Sequence, residues 1–205
     1  MPYKKAPRGK LTRKFGINVF GNPKFDKILK RKPNGPGKPS GKKQYKKTSN
    51  YGTQLLEKQK IRYTYGLSEK QFRNTFFKAK KKVGVTSENF ILLLESRLDN
   101  LIYRMGWAVS REQSKQMVNH GYFRINNKKA DIPSMTLKPG DRISVRGKEN
   151  IRTLIRYVQK KTNSNKPTWL KVDPDNLEAE LISSPEYSSI QPAADLQAVI
   201  EYYSR

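Results

Sequence analysis

The sequence predicts an α+β protein, and three observations carry that prediction. Across residues 50–121 apolar side chains recur at helical spacing. From Tyr122 onward the period falls to two, with turn residues between short runs. All of the net positive charge lies before Lys166, which separates a basic body from an acidic tail.

The first fifty residues hold 16 basic side chains and 1 acidic one. Residues 18–32 include Val19, Phe20, Phe25, Ile28 and Leu29, enough for a short helix. Residues 33–41 carry too many prolines and glycines for a helix or a central strand. Residues 42–47 form a charge cluster around Tyr45. So few apolar groups do not offset the entropy of ordering, so residues 1–49 are expected to be a basic extension that orders on RNA.

Residues 54–65 read as a helix with Leu55, Leu56, Gln59 and Tyr63 near one face, ended by Gly66. Ser68 and Gln71 form a capping box for the next helix. Phe72, Phe76, Ala79 and Val83 make its apolar stripe, with Lys70, Arg73, Lys80 and Lys81 mostly off it. Gly84 ends that helix. Ser87 opens a third, whose core face is Phe90, Leu93, Leu94, Leu98, Leu101, Ile102 and Met105, closed by Gly106. Ser110 caps a short fourth helix, with Gln113 at its third position and Gly121 at its end.

Residues 122–125 and 128–132 read as strands around Asn126-Asn127, a hairpin turn that tolerates positive φ. Pro139-Gly140-Asp141 turns the chain into a strand at 142–146. Residues 151–161 place Ile151, Leu154, Ile155 and Val158 at helical spacing. Residues 169–172 and 177–182 are two further strands. Residues 194–202 form a terminal helix or an extended docking segment.

A formal net charge of +26 repels itself unless a polyanion neutralises it. Nucleic acid fits that role. An anionic membrane is the alternative, but the longest apolar run, residues 90–94, falls far short of the roughly 18 residues of a spanning helix. No apolar segment of signal type follows the basic start, so a cytoplasmic chain is expected. With no cysteine and one histidine, His120, the chain offers no disulfide framework and no metal site is predicted. No nucleophile elbow, phosphate loop or spaced carboxylate set is visible. The expectation is a non-enzyme with no catalytic residue and no cofactor.

The binding surface is read from residues 97–128. On one helix Arg97, Asn100 and Arg104 would share a side opposite the leucine stripe. The N–H groups after Ser110, with Arg111 beside them, suit a phosphate. Gln113, Lys115 and Gln116 add donors, and Tyr122, Asn126 and Lys128 extend the surface onto the hairpin. Such a surface suits RNA shape and 2′-OH groups more than linear sequence. His120 reads equally as a helix-end partner of the dipole or an RNA contact. Arg62, Arg73, Lys42, Lys43, Lys46 and Lys47 supply further cations. Tyr51 is either core or stacked on a base. Asp99 reads as a local partner for a basic neighbour.

The run RLDNLIYRMGWAVSREQSKQMVNHGYFRINNKKADIPSMTLKPGDRISV, residues 97–145, resembles the small RNA-binding module called the S-four domain. The run TSNYGTQLLEKQKIRYTYGLSEKQFRNTF, residues 48–76, and the ending IEYYSR resemble the S-four family of small-ribosomal-subunit proteins, in its bacterial, zinc-free form. The resemblance implies a helical domain, built from the N-terminal part and completed by the C-terminal end, with the S-four module and its antiparallel sheet inserted. On that basis the expected divisions are 1–49, 50–92 with 193–205, and 93–192.

The resemblance further implies primary binding to small-subunit rRNA at a 5′-domain junction, nucleation of assembly, and a place near the mRNA entry channel that bears on decoding accuracy. It implies ribosomal protein S-five and other small-subunit proteins as partners, with Glu201, Tyr202 and Tyr203 at a protein interface. A free RNA chaperone or translational regulator built on the same module is the alternative. The family's loop histidine is missing, because Pro36-Gly37-Lys38-Pro39-Ser40-Gly41 stands in its place.

Overall fold

The computed structural model describes residues 7–37, 49–161, 167–190, 192 and 194–204. Lys42, Lys43, Lys46 and Lys47 lie outside them. The chain divides into two compact units, Met1–Thr64 with Pro192–Arg205, and Tyr65–Gln191. The division falls after Thr64, whereas the motif reading draws it near residue 92.

The first unit is helical. Helix α1 (Arg8–Phe15) was not foreseen in the basic extension, yet Thr12 and Phe15 bury one side of it. Gly16, at φ 70°, closes it in the left-handed conformation that suits glycine. Helix α2 (Pro23–Arg31) starts at Asn22, whose side chain accepts from the Lys24 N–H, with proline at its first position. Helix α3 (Asn50–Thr64) is the longest in the unit.

The expected apolar face of α3 is not its buried one. Gln54, Lys58, Ile61 and Arg62 are buried. Leu55, Leu56, Gln59 and Tyr63 line a groove of about 510 Å³ together with Leu11 and Phe15. The reason is the chain's end. Helix α9 (Leu196–Ser204) packs on α3 and covers the polar side. Gln54 donates to Glu201 at 2.8 Å, and the Glu57 carboxylate accepts the Asp195 N–H at 3.1 Å. Lys58 sets its ammonium 4.4 Å from the Tyr202 ring.

The second unit begins with a helical pair. Helix α4 (Glu69–Lys80) carries the expected Ser68–Gln71 capping box. Phe72 and Phe76 meet Phe90 of helix α5 (Thr86–Glu95) edge-on, at 5.1 and 5.6 Å. Val83 is 101% exposed, because α4 stops at Lys80 before the stripe reaches it. Helix α5 starts one residue before Ser87 and lacks a side-chain cap.

The single helix expected over residues 87–105 is two. After α5 the chain turns extended at Arg97 (φ −71°, ψ 140°), then enters helix α6 (Leu98–Arg104). Backbone pairing forces the break. The Leu98 N–H donates to Met135 O at 2.8 Å and the Leu137 N–H to Ser96 O at 3.1 Å, so residues 135–137 bind where α5 would otherwise continue.

Helix α7 (Arg111–Asn119) is capped by Ser110, whose Oγ accepts the Gln113 N–H at 3.3 Å. Gln113 reaches back one residue further than a capping box requires and accepts the Val109 N–H at 2.8 Å. Strands β1 (Phe123–Ile125) and β2 (Lys128–Ala130) are antiparallel. Their turn holds Asn126 and Asn127 at φ 48° and 66°, the two positive values of a type I′ hairpin.

Strand β3 (Arg142–Val145), helix α8 (Glu149–Lys161) and strands β4 (Leu170–Asp173) and β5 (Glu178–Leu181) complete the unit. The sheet is antiparallel, in the order β2-β1-β3-β5-β4. Leu154, expected on the apolar face of α8, is exposed, while Ile155 and Val158 are buried. The core joins Leu98, Leu101, Ile102 and Met105 to Trp107, Val118, Phe123, Ile143 and Leu181. Trp107 stacks on Phe123 at 5.9 Å.

Truncating Phe72 to alanine removes a fully buried ring and is expected to destabilise the fold by about 3–5 kcal/mol. Val83→Ala is expected to stay within about 0.5 kcal/mol. Urea denaturation of both variants checks the helix boundary.

Candidate nucleic-acid interface

The centre of the predicted surface is a buried carboxylate. Glu95 closes α5 and its side chain is 0% exposed. Four side-chain donor contacts meet it. Tyr65 OH donates to Oε1 at 2.6 Å, and Arg104 NH2 to the same oxygen at 2.7 Å. Asn100 Nδ2 donates to Oε2 at 2.6 Å, and Arg104 Nε to it at 3.0 Å. The arginine pair is bidentate, the strongest geometry for this contact.

A second arginine joins through the asparagine. Arg111 Nε donates to Asn100 Oδ1 at 2.8 Å. Its guanidinium carbon lies 4.4 Å from the Tyr103 ring centroid and 5.1 Å from that of Tyr65. Arg111 is the first residue of α7, so the network joins α5, α6 and α7 at one corner. Ser114 fixes the α6–α7 contact from below, donating to Asp99 O at 2.6 Å.

The charge states follow from this geometry. Burial alone would raise the Glu95 carboxyl, but the Arg104 hydrogen bonds and charge, with Arg111 behind them, outweigh it and hold the group below its ordinary value. Burial, then the Glu95 charge, pushes the Tyr65 hydroxyl well above its ordinary value. For Arg104 burial works against the charge, and Glu95 overrides it, so the guanidinium is held more firmly protonated than usual. This is a clamp of fixed charges with no group poised to move a proton.

The predicted site residues therefore separate. Arg97 does not share a helix side with Asn100 and Arg104. It precedes α6, is buried, and pairs with Asp99 through bonds of 3.0 and 3.1 Å. Asp99 thus has the local basic partner expected of it. Asn100 is also buried and fully engaged. Arg104 keeps 31% of its side chain in solvent. Ser110, Arg111, Gln113 and Lys115 are half-buried around the start of α7, and Gln116 is exposed. His120 caps the other end of α7, is exposed, and sets Nδ1 3.3 Å from Tyr122 OH.

On the hairpin Lys128 is exposed. Asn126 braces the turn, donating to Asp141 at 2.8 Å and accepting the Arg142 N–H at 2.9 Å. In the helical unit Arg62 is buried, bonded to Gln59 at 2.8 Å and stacked 4.4 Å from Tyr63. Tyr51 is half exposed, its ring 5.7 Å from Tyr202. Arg73 is exposed on α4. Sequence reasoning missed Glu95 and Tyr103, while Tyr65, which reads as either core or stacked on a base, is core. The signal was present: one carboxylate ends an apolar helix and three basic or amide side chains follow within nine residues. Among the described residues no group of three or more histidine, aspartate or glutamate side chains could hold a metal ion, and no helix is long and apolar enough to cross a membrane.

Residues 3–95 match the Ribosomal protein S4/S9 N-terminal domain, and residues 96–143 match the S4 domain. Along 201 residues the chain is 51% identical to small ribosomal subunit protein uS4 of Treponema denticola, covering 98% of both chains. It is 47% identical to that of Treponema pallidum over the same share. It is 46% identical to that of Borrelia garinii subsp. bavariensis, over 100% of this chain and 99% of the other. The chain belongs to the small ribosomal subunit protein uS4 family. That is a family of ribosomal proteins and not of enzymes. The family's two matched regions meet at the corner just described: Tyr65 and Glu95 lie in the first, and Asn100, Arg104 and Arg111 in the second.

Arg104→Met leaves the buried carboxylate without its counter-charge and is expected to cost about 3 kcal/mol at pH 7. Because the Glu95 carboxyl is depressed in the folded state, its stabilisation is present above the unfolded glutamate range near pH ~4.3 and fades as pH falls through the lower folded value. Glu95→Gln should therefore be less stable than the parent chain at neutral pH, with the gap shrinking below about pH 4. Urea midpoints across pH 2.5–7 read both effects.

Proposed function

We propose that this chain is a structural constituent of the small ribosomal subunit that binds its rRNA directly and early. It clamps a junction in the 5′ domain and nucleates assembly of the body. The observation that carries this reading is the match to small-subunit proteins along nearly the whole of both chains. The charge supports it: residues 91–165 hold 15 basic and 6 acidic side chains, and Lys128 and Arg124 stand exposed on the hairpin.

In this reading Arg104 and Arg111 are contact residues of fixed direction. Lys115, Gln116, His120, Tyr122 and Lys128 extend the contact around them, and Lys42, Lys43, Lys46, Lys47, Tyr51 and Arg73 add to it, while buried Arg62 braces the helical unit. Arg97 and Asn100 support the surface from behind. Phosphate contacts position such a protein, and helical shape and 2′-OH groups select its RNA.

The tail serves a different partner. Residues 166–205 hold 3 basic and 7 acidic side chains, a balance that phosphate repels. We assign Glu201, Tyr202 and Tyr203 to a protein interface that includes ribosomal protein S-five, near the mRNA entry channel, where it bears on decoding accuracy. The place of action is the ribosome of the cytoplasm.

Equilibrium binding to a small-subunit rRNA 5′-domain transcript should be tighter than to random RNA of equal length at physiological salt. The affinity should fall steeply with salt, because many phosphates are neutralised. Lys128→Gln should reduce the salt slope by about one, and Glu178→Gln should leave it unchanged. No preference for the transcript would sink the reading.

A further inference from the structure

Helix α4 has a face of which the contact proposed above uses only Arg73. Phe72, Phe76 and Ala79 are buried. Elsewhere on the helix and just past its end, Lys70, Arg73, Phe77, Lys80 and Lys81 are exposed. Their spacing of i, i+3, i+7, i+10 and i+11 lines them along roughly 15 Å of helix. No acidic residue occurs from Lys70 to Ser87. A lysine-rich helix face is usually no more than a solvated one. What separates this face from that ordinary case is the aromatic ring at its centre.

Phe77 leaves 37% of its surface in solvent. Phe90, Phe76 and Phe77 form a chain of edge-on rings, with centroids 5.6 and 5.8 Å apart and planes at 73° and 78°. The Arg73 guanidinium lies 5.5 Å from the Phe77 centroid. The ring chain is rooted in buried Phe90 and Phe76 and ends in solvent. The outer pair is therefore held in place without the entropy cost of fixing a free side chain.

A fixed ring with a guanidinium beside it, flanked by ammonium groups, matches two properties that a nucleotide combines: a flat π-face and an anionic backbone. Bases inside a duplex already stack on their neighbours, so the free π-face belongs to an unpaired base. An acidic protein surface would engage the lysines and gain little from the ring. We propose that Arg73 and Phe77 form a stacking platform for an unpaired RNA base, with Lys70, Lys80 and Lys81 holding the phosphates on either side. The proposal rests on the RNA-binding reading above and adds to it a second, base-directed contact.

The test uses the full chain with two probes, the 5′-domain transcript and a single-stranded oligoadenylate of about ten nucleotides. Phe77→Leu should weaken binding to both by about tenfold with the salt slope unchanged. Phe77→Trp should restore it. Lys80→Gln should lower the slope by about one. Ultraviolet crosslinking should join RNA to the peptide that contains Phe77, and thermal unfolding should show each variant folded. Binding by Phe77→Leu within about twofold of the parent on both probes would overturn the platform. If the unsubstituted chain fails to prefer the transcript over random RNA, the parent reading falls instead. The oligoadenylate comparison still decides the platform in that case.

Discussion

The second unit is organised around the problem of keeping a carboxylate charged with no water around it. An unpaired buried charge is too costly to persist, so Glu95 has to be matched. Two arginine bonds, a tyrosine hydroxyl and an asparagine amide do this from two stretches of chain, Tyr65 and helix α6. Each donor is fixed in turn. Arg104 cannot leave its carboxylate, and Asn100 cannot turn without releasing Arg111. The break between α5 and α6 and the start of α7 are thereby set relative to one another. The solvent-facing part of Arg104 is presented in one direction.

This changes what the basic residues mean. Counting charges treats every arginine as a contact for a polyanion. In the fold Arg97 is bound by Asp99 and Arg62 is bonded to Gln59, both buried. They act as structural cations, while Lys128, Arg73 and the α4 lysines remain open to solvent. A surface made partly of clamped arginines and partly of free lysines divides two tasks. In the proposed function the clamped groups set geometry, and the solvent-open ones supply the salt-sensitive attraction.

Much of this fold was legible in the sequence. Capping signals at Ser68 and Ser110 and the Asn126-Asn127 turn act within a few residues, so local reading finds them. Where the sequence misled, distant chain decided. The helix break at Ser96 depends on residues 135–137, some forty positions away. The buried face of α3 depends on α9, nearly 150 residues on, which makes Gln54 and Lys58 interior and turns the leucines toward α1. Helix α1 was missed because its apolar content is slight, and Phe15 finds its neighbours only in the fold. In the site, the same limit hid Glu95. Periodicity marks where an acidic residue sits, and only packing shows that no water reaches it.

The corner at Glu95 also limits how the chain can be divided. The matched regions meet between residues 95 and 96, and a designer would cut there to isolate the second. The cut would remove the carboxylate and Tyr65 but retain Asn100, Arg104 and Arg111, leaving a cluster of donors around a vacant acceptor. A piece that keeps the ion pair and all its donors therefore starts upstream of Tyr65, at the compact-unit boundary and not at the family one. Sequence modules and folding modules do not coincide in this chain, because the ion pair that secures one is shared across the border of the other.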